Sequence, residues 1–194
     1  MKVLVACEYS GTVRDAFISK GHEAISCDLL PTDSPGPHYQ GDVFDIIDDS
    51  FDLMIAHPPC THLAVSGAAW FKYKEKEQKE ALEFVQRLLD APIKKIALEN
   101  PVSVISTRIR KPTQIIQPWQ FGEPFSKRTC LWLKNLEPLQ PTNIVDKGEY
   151  TTYASGRTMP TWYAEAWKLP APERAKLRSK TFQGIADAMA DQWG

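Results

Sequence analysis

The chain of 194 residues has no apolar stretch near the roughly 18 residues that a bilayer-crossing helix needs, which excludes a conventional membrane span. It has only four cysteines, Cys7, Cys27, Cys60 and Cys130, scattered and without a CxxC pair. A disulfide framework is therefore not expected, and the thiols read as free. It lacks an excess of either charge: the formal net charge is −1, so nothing steers the whole molecule onto nucleic acid. Internal repeats and low-complexity tracts are absent. The opening MKVLVACEYSG carries one positive charge and a short apolar run cut off by Glu8, so it reads as a first strand and not as a secretory leader. A cytoplasmic protein is expected.

What is there is ordinary in bulk: 43% apolar and 24% charged residues, enough for one domain with a real core. The order of the segments is more informative. Residues 3–8 (VLVACE), 23–28 (EAISCD), 51–56 (FDLMIA) and 94–100 (KKIALEN) are apolar runs bounded by turn residues, and they read as strands. Between them, TVRDAFISKG reads as a helix with Val13, Phe17 and Ile18 on its inner face. KEKEQKEALEFVQRLLDA reads as an amphipathic helix burying Leu82, Val85, Leu88 and Leu89. Residues 29–41 read as a proline-bearing loop. Alternation of strand and helix predicts an α/β fold with a mostly parallel sheet and helices on both faces. In the second half, TQIIQP and TCLWLKNL read as strands and TFQGIADAMADQW as a last helix. Residues 137–180 read as a turn-rich segment within the same single domain, 1–194.

In open α/β sheets ligands bind at the carboxyl ends of the strands. Those ends carry Glu8-Tyr9-Ser10-Gly11, Cys27-Asp28, His57-Pro58-Pro59-Cys60 and Glu99-Asn100, and Asp42 opens the DVFDI segment. Gly11 would let a ligand approach the backbone. Asp28 stands where a ribose hydroxyl is gripped in nucleotide-binding sheets. Cys60 follows an apolar run, behind two prolines that stiffen its loop, which suits a nucleophile held in the open. Glu99, ending a neighbouring strand, is the matching general acid. Each residue also has a plainer reading: Cys60 as an inert loop thiol, Glu99 as a helix or turn cap, Asp28 and Asp42 as loop acids, Arg128 as a surface strand residue, and Trp119, Phe121, Trp162, Tyr163 and Trp167 as core or lid packing instead of a base-stacking platform. His57-x-x-Cys60-x-His62 also has the look of metal ligands, but a fourth ligand at suitable spacing is missing, and no metal is expected.

Taken together, these motifs resemble the DNA cytosine carbon-5 methyltransferase family. Pro58-Pro59-Cys60 resembles its nucleophile motif, Glu99-Asn100 its Glu-Asn motif, and Ser10-Gly11 its first cofactor turn. Ser126-Lys127-Arg128 resembles its arginine-bearing strand, and TFQGIADAMADQW its closing helix. The resemblance implies a Rossmann-like class I fold that binds S-adenosylmethionine along Glu8, Tyr9, Ser10, Gly11, Asp28, Asp42 and Pro58. It also implies Cys60, Glu99 and Arg128 as catalytic residues, with Pro59, Asn100 and Lys127 against the substrate. Only 52 residues separate Arg128 from Thr181, so a full target-recognition domain is missing. In this the chain is similar to short members from bacterial viruses and prophages, expected in the cytoplasm of a bacterial or phage-infected cell. The implied partner is DNA, with an accessory chain to help find the target; a pyrimidine nucleotide or RNA is the alternative substrate. A non-catalytic binding protein on the same fold is a further alternative, against which intact Cys60 and Glu99 argue.

Overall fold

The computed structural model describes residues 1–194, the side chain of Trp70 excepted. Seven strands make the main sheet: β1 (Lys2–Ala6), β2 (Glu23–Asp28), β3 (His38–Gln40), β4 (Leu53–Ala56), β5 (Lys95–Pro101), β6 (Gln114–Ile116) and β7 (Thr129–Lys134). Their order is β3-β2-β1-β4-β5-β7-β6. β1 to β5 pair in parallel, and β7 runs antiparallel to both of its neighbours. This is a doubly wound order with one reversed strand inserted before the last.

The central strands are apolar throughout because both faces are covered. Alternate residues feed two separate cores. Val3, Val5, Leu53, Ile55, Ala97 and Leu131 pack under helices α1 (Thr12–Ser19) and α6 (Gln183–Trp193). Leu4, Ala6, Met54, Ile96, Leu98 and Trp132 pack under α2 (Glu75–Leu89). α6 presses close to the chain ahead of β7: a Cβ on Gly184 would strike the Phe121 carbonyl. Further elements among the described residues are α3 (Ile105–Arg108), a small hairpin β8 (Tyr150–Thr152) and β9 (Thr158–Pro160), α4 (Thr161–Ala166), α5 (Ala171–Ser179) and three 3-10 turns, the longest Val65–Tyr73. No helix among the described residues is long and apolar enough to cross a membrane.

Several expectations need correction. β1 stops at Ala6 and not at Glu8, because Cys7 turns the chain with a φ of 59°. The proline-bearing loop contains a strand, β3, which pairs Ser26 with His38 and Asp28 with Gln40. Residues 137–180 hold a hairpin and two helices. On α1, Ile18 is 39% exposed while Arg14 is fully buried. The guanidinium earns that place by its partners: the Asp15 carboxylate at 2.8 Å, the Ser26 and Thr32 hydroxyls, and the Ser34 and Pro35 carbonyls. A planar fork with five donors suits such a ring of acceptors. Arg14 thereby clamps residues 32–35 onto α1. It also explains Gly11, at φ 77°: a Cβ there would meet Arg14 at 2.5 Å. That glycine makes room for the arginine.

Candidate active site

The strand order reverses direction between β1 and β4, and the carboxyl ends of these strands and of β5 carry the chemistry. β4 and β5 pair Ile55 with Ala97 and Ala56 with Leu98, so one further step brings His57 beside Glu99. His57 Nδ1 lies 3.1 Å from Glu99 Oε2. His57 Nε2 is buried and has no hydrogen-bond partner among the described residues. Asn100, on the other face of β5, donates its amide to the Pro58 carbonyl at 2.9 Å and is 1% exposed. The Cys60 carbonyl accepts from the Leu63 and Ala64 amides, and Val65 and Val104 tie this turn to the segment after β5. The cysteine therefore stands on a braced loop, half-buried.

A narrow cleft beside the pair is lined by His57, Glu99, Lys127, Thr129 and, from α6, Ile185 and Met189. Burial pushes the Glu99 carboxyl up, but the His57 hydrogen bond and the Lys127 charge outweigh it and hold the group below the usual glutamate range. Burial and the Glu99 charge push the Cys60 thiol up, and Lys127 and Arg178 only partly offset them. At neutral pH the resting thiol is protonated.

Strand parity decides which cation faces the cleft. Glu99 pairs with Leu131, so Thr129 and Lys127 continue its side and Arg128 the other. Arg128 is exposed, and the charges acting on Glu99 and Cys60 come from Lys127 and Arg178. Of the two neighbours it is Lys127, and not the expected Arg128, that the structure brings to the Glu99 side. Arg178, on α5, reaches the site from far along the chain. Its guanidinium lies 4.6 Å from the centre of the Tyr163 ring and 3.5 Å from the Ser66 hydroxyl. No sequence signal marks it. His57 had one: it follows an apolar strand in step with Glu99.

The other expected contacts divide. Asp28 and Asp42 sit at the ends of β2 and β3, each using one oxygen on a local backbone amide, of Leu30 and Phe44. Tyr9 stands under Lys176 of α5, which is itself ion-paired to Asp33 at 2.7 Å. Glu8, only 4% exposed, is a framework residue: it accepts from the Val13 and Arg14 amides at the start of α1, and from Ser10 Oγ at 3.1 Å. Ser10 is held in the same turn. Pro58 is buried with its carbonyl taken by Asn100, whereas Pro59 is exposed beside Cys60. Of the aromatics, Trp162 packs edge-on against Phe125 and Phe182, Trp167 is exposed, and Phe121 belongs to the α6 core.

The thiols give a direct check. Cys27 is fully buried, and burial with the charges of Asp28, Asp42 and Asp45 pushes it up to about 11. Iodoacetamide should therefore label Cys60 before Cys27 or Cys130, at a rate that climbs with pH from 7 to beyond 9. Arg178→Ala or Lys127→Ala removes a charge that favours the thiolate and should slow Cys60 further. A pH-independent rate, or faster labelling in those variants, contradicts this electrostatic picture.

No protein-family model matches the chain, and no curated protein matches it.

Proposed function

We propose that the chain is an S-adenosylmethionine-dependent methyltransferase that transfers a methyl group to carbon 5 of cytosine in DNA, on a class I methyltransferase fold. The observation that carries the reading is the pairing of a braced, half-buried thiol with an acid at adjoining strand ends: Cys60 after β4 and Glu99 in β5. A pure binding module needs neither. In this reading Cys60 adds to ring carbon 6, which makes carbon 5 nucleophilic. Glu99 holds and protonates ring nitrogen 3. Lys127 takes the place beside the ring that the resemblance gave to Arg128. Loss of the carbon-5 proton expels the thiol. In duplex DNA the base must first leave the stack.

The strand ends fit the cofactor. Asp28 and Asp42 each spend one carboxylate oxygen locally and offer acceptors for ribose and adenine. S-adenosylmethionine, when bound, supplies an electrophilic methyl group. The chain's own part is to hold the nucleoside end with these acids and to keep Cys60 and Glu99 in register.

A second reading has an observation of its own. α5 crosses the strand ends through Lys176–Asp33 and Arg178–Ser66, and the formal net charge is −1. That favours a substrate smaller than duplex DNA, with a free pyrimidine nucleotide ahead of RNA. One experiment separates the two. Purified protein is incubated with labelled S-adenosylmethionine and duplex DNA, single-stranded DNA, RNA or cytidine nucleotides, and the products are digested and analysed by mass spectrometry. Label in 5-methyl-2′-deoxycytidine from DNA is expected. Label confined to RNA or free nucleotide moves the substrate to the second reading, and no methylated cytosine in any arm overturns both.

A further inference from the structure

Glu99 is asked to give a proton, yet its surroundings favour the ionised form. Its carboxyl is held down by a hydrogen bond from His57 and by the charge of Lys127. An ionised carboxylate accepts only, so His57 Nδ1 must be the donor at 3.1 Å. That fixes the ring and leaves Nε2 buried and unpartnered among the described residues, in a side chain that lines the same cleft as Glu99. A buried ring nitrogen without a partner is uncommon in a folded chain and wants an explanation. The charged groups around the pair are few. Lys127 faces it from the approach to β7, and Cys60 with Arg178 lies beyond it. α6 contributes only Ile185 and Met189 to the cleft.

We propose that His57 is a positioning residue for Glu99 and the store of the proton that Glu99 delivers to the substrate ring. The inference rests on the methyl-transfer reading above. When His57 carries a proton on both nitrogens, the Nδ1 proton moves to Glu99, which then gives a proton to ring nitrogen 3. The Cys60 thiol loses its proton to solvent, its electron pair forms the sulfur–carbon 6 bond, and the ring electrons displaced onto nitrogen 3 take up the proton from Glu99; carbon 5 then takes the methyl group. On release, the carbon-5 proton leaves to solvent and the sulfur–carbon bond breaks. Nitrogen 3 then returns its proton through Glu99, and His57 is recharged. The Glu99 carboxylate also keeps the ring in one orientation, as a carboxylate does for a catalytic histidine elsewhere.

Two measurements test this. First, carbon-13 NMR of the Glu99 carboxyl needs no turnover: His57→Leu should move its titration midpoint upward from the wild-type value. An unchanged midpoint overturns the pairing. Second, His57→Asn keeps a hydrogen-bond donor but stores no proton. Its melting temperature and Cys60 labelling should stay near wild type. Its pH–rate profile should change shape, with turnover at pH 8 reduced by roughly 10² and the optimum displaced to lower pH, where Glu99 is protonated directly. Wild-type turnover at every pH, or a uniform loss with the same limbs, overturns the proton-storing role. Absence of transfer by the unmutated protein, with the NMR shift intact, would overturn the reaction assigned above and leave the pairing standing.

Discussion

Cys60→Ser should leave a folded protein that transfers no measurable methyl group. The loop that presents residue 60 is held by backbone bonds and by Asn100 on the Pro58 carbonyl, and none of these uses the sulfur. An oxygen in its place keeps the shape. It does not keep the chemistry, because a serine hydroxyl is far less acidic than a thiol and nothing beside it acts as a strong base. Even the thiol is pushed up by burial and by the Glu99 charge, with Lys127 and Arg178 only partly offsetting them. The alcohol is several units further from ionisation and a much weaker nucleophile. Thermal melting should be nearly unchanged while transfer falls below detection. Normal transfer by Cys60→Ser or Cys60→Ala would make the thiol structural and remove the centre of the account.

Glu99→Gln should lower turnover by about 10²–10⁴, the usual weight of a general acid. The amide oxygen still accepts from His57, so the geometry of the pair survives, but no proton can be passed on. The same substitution removes the negative charge that pushes the Cys60 thiol up. Iodoacetamide labelling of Cys60 should therefore speed up while turnover collapses. A misfolded variant would lose both ordered behaviours, so the opposed changes distinguish a lost acid from lost structure. Acid stability adds a third sign. Glu99 sits below its ordinary range when folded, so its contribution is present above the ordinary glutamate range and is lost as pH falls through the folded value. Wild type should lose stability on acidification that the glutamine variant does not. Equal turnover in both proteins, or slower labelling of Cys60, contradicts the role given to Glu99.

The parts of the fold that were legible in the sequence are those where burial alone sets the pattern. β1, β2, β4 and β5 are apolar because they are covered on both faces, and α2 shows the period of a half-buried helix. β3 escaped because His38-Tyr39-Gln40 has no apolar pattern and is ordered by pairing with β2. On α1 the expected Val13 and Phe17 are buried, but Arg14 joins them where Ile18 was expected, since a hydrophobic pattern cannot foresee a buried charge ringed by acceptors from a distant loop. The candidate site was legible where it stood at strand ends: Cys60, Glu99, Asn100, Asp28 and Asp42. Which of Lys127 and Arg128 faces Glu99 was not, because it depends on the register of β7 on β5, which is fixed by packing across the sheet. Arg178 depends on where α5 comes to lie, a matter of tertiary contacts with Tyr163 and Ser66.

The central claim is that the Cys60 sulfur bonds to a cytosine ring. The most direct measurement is mass spectrometry of the protein after incubation with S-adenosylmethionine and a 5-fluorocytosine-containing substrate of the class that accepts methyl groups. Fluorine at carbon 5 blocks the proton loss that expels the thiol, so the adduct should persist. The account predicts a covalent complex whose digestion maps the ring to the peptide carrying Cys60, absent in Cys60→Ala. No covalent complex with a substrate that is otherwise methylated, or attachment at Cys7, Cys27 or Cys130, would contradict it.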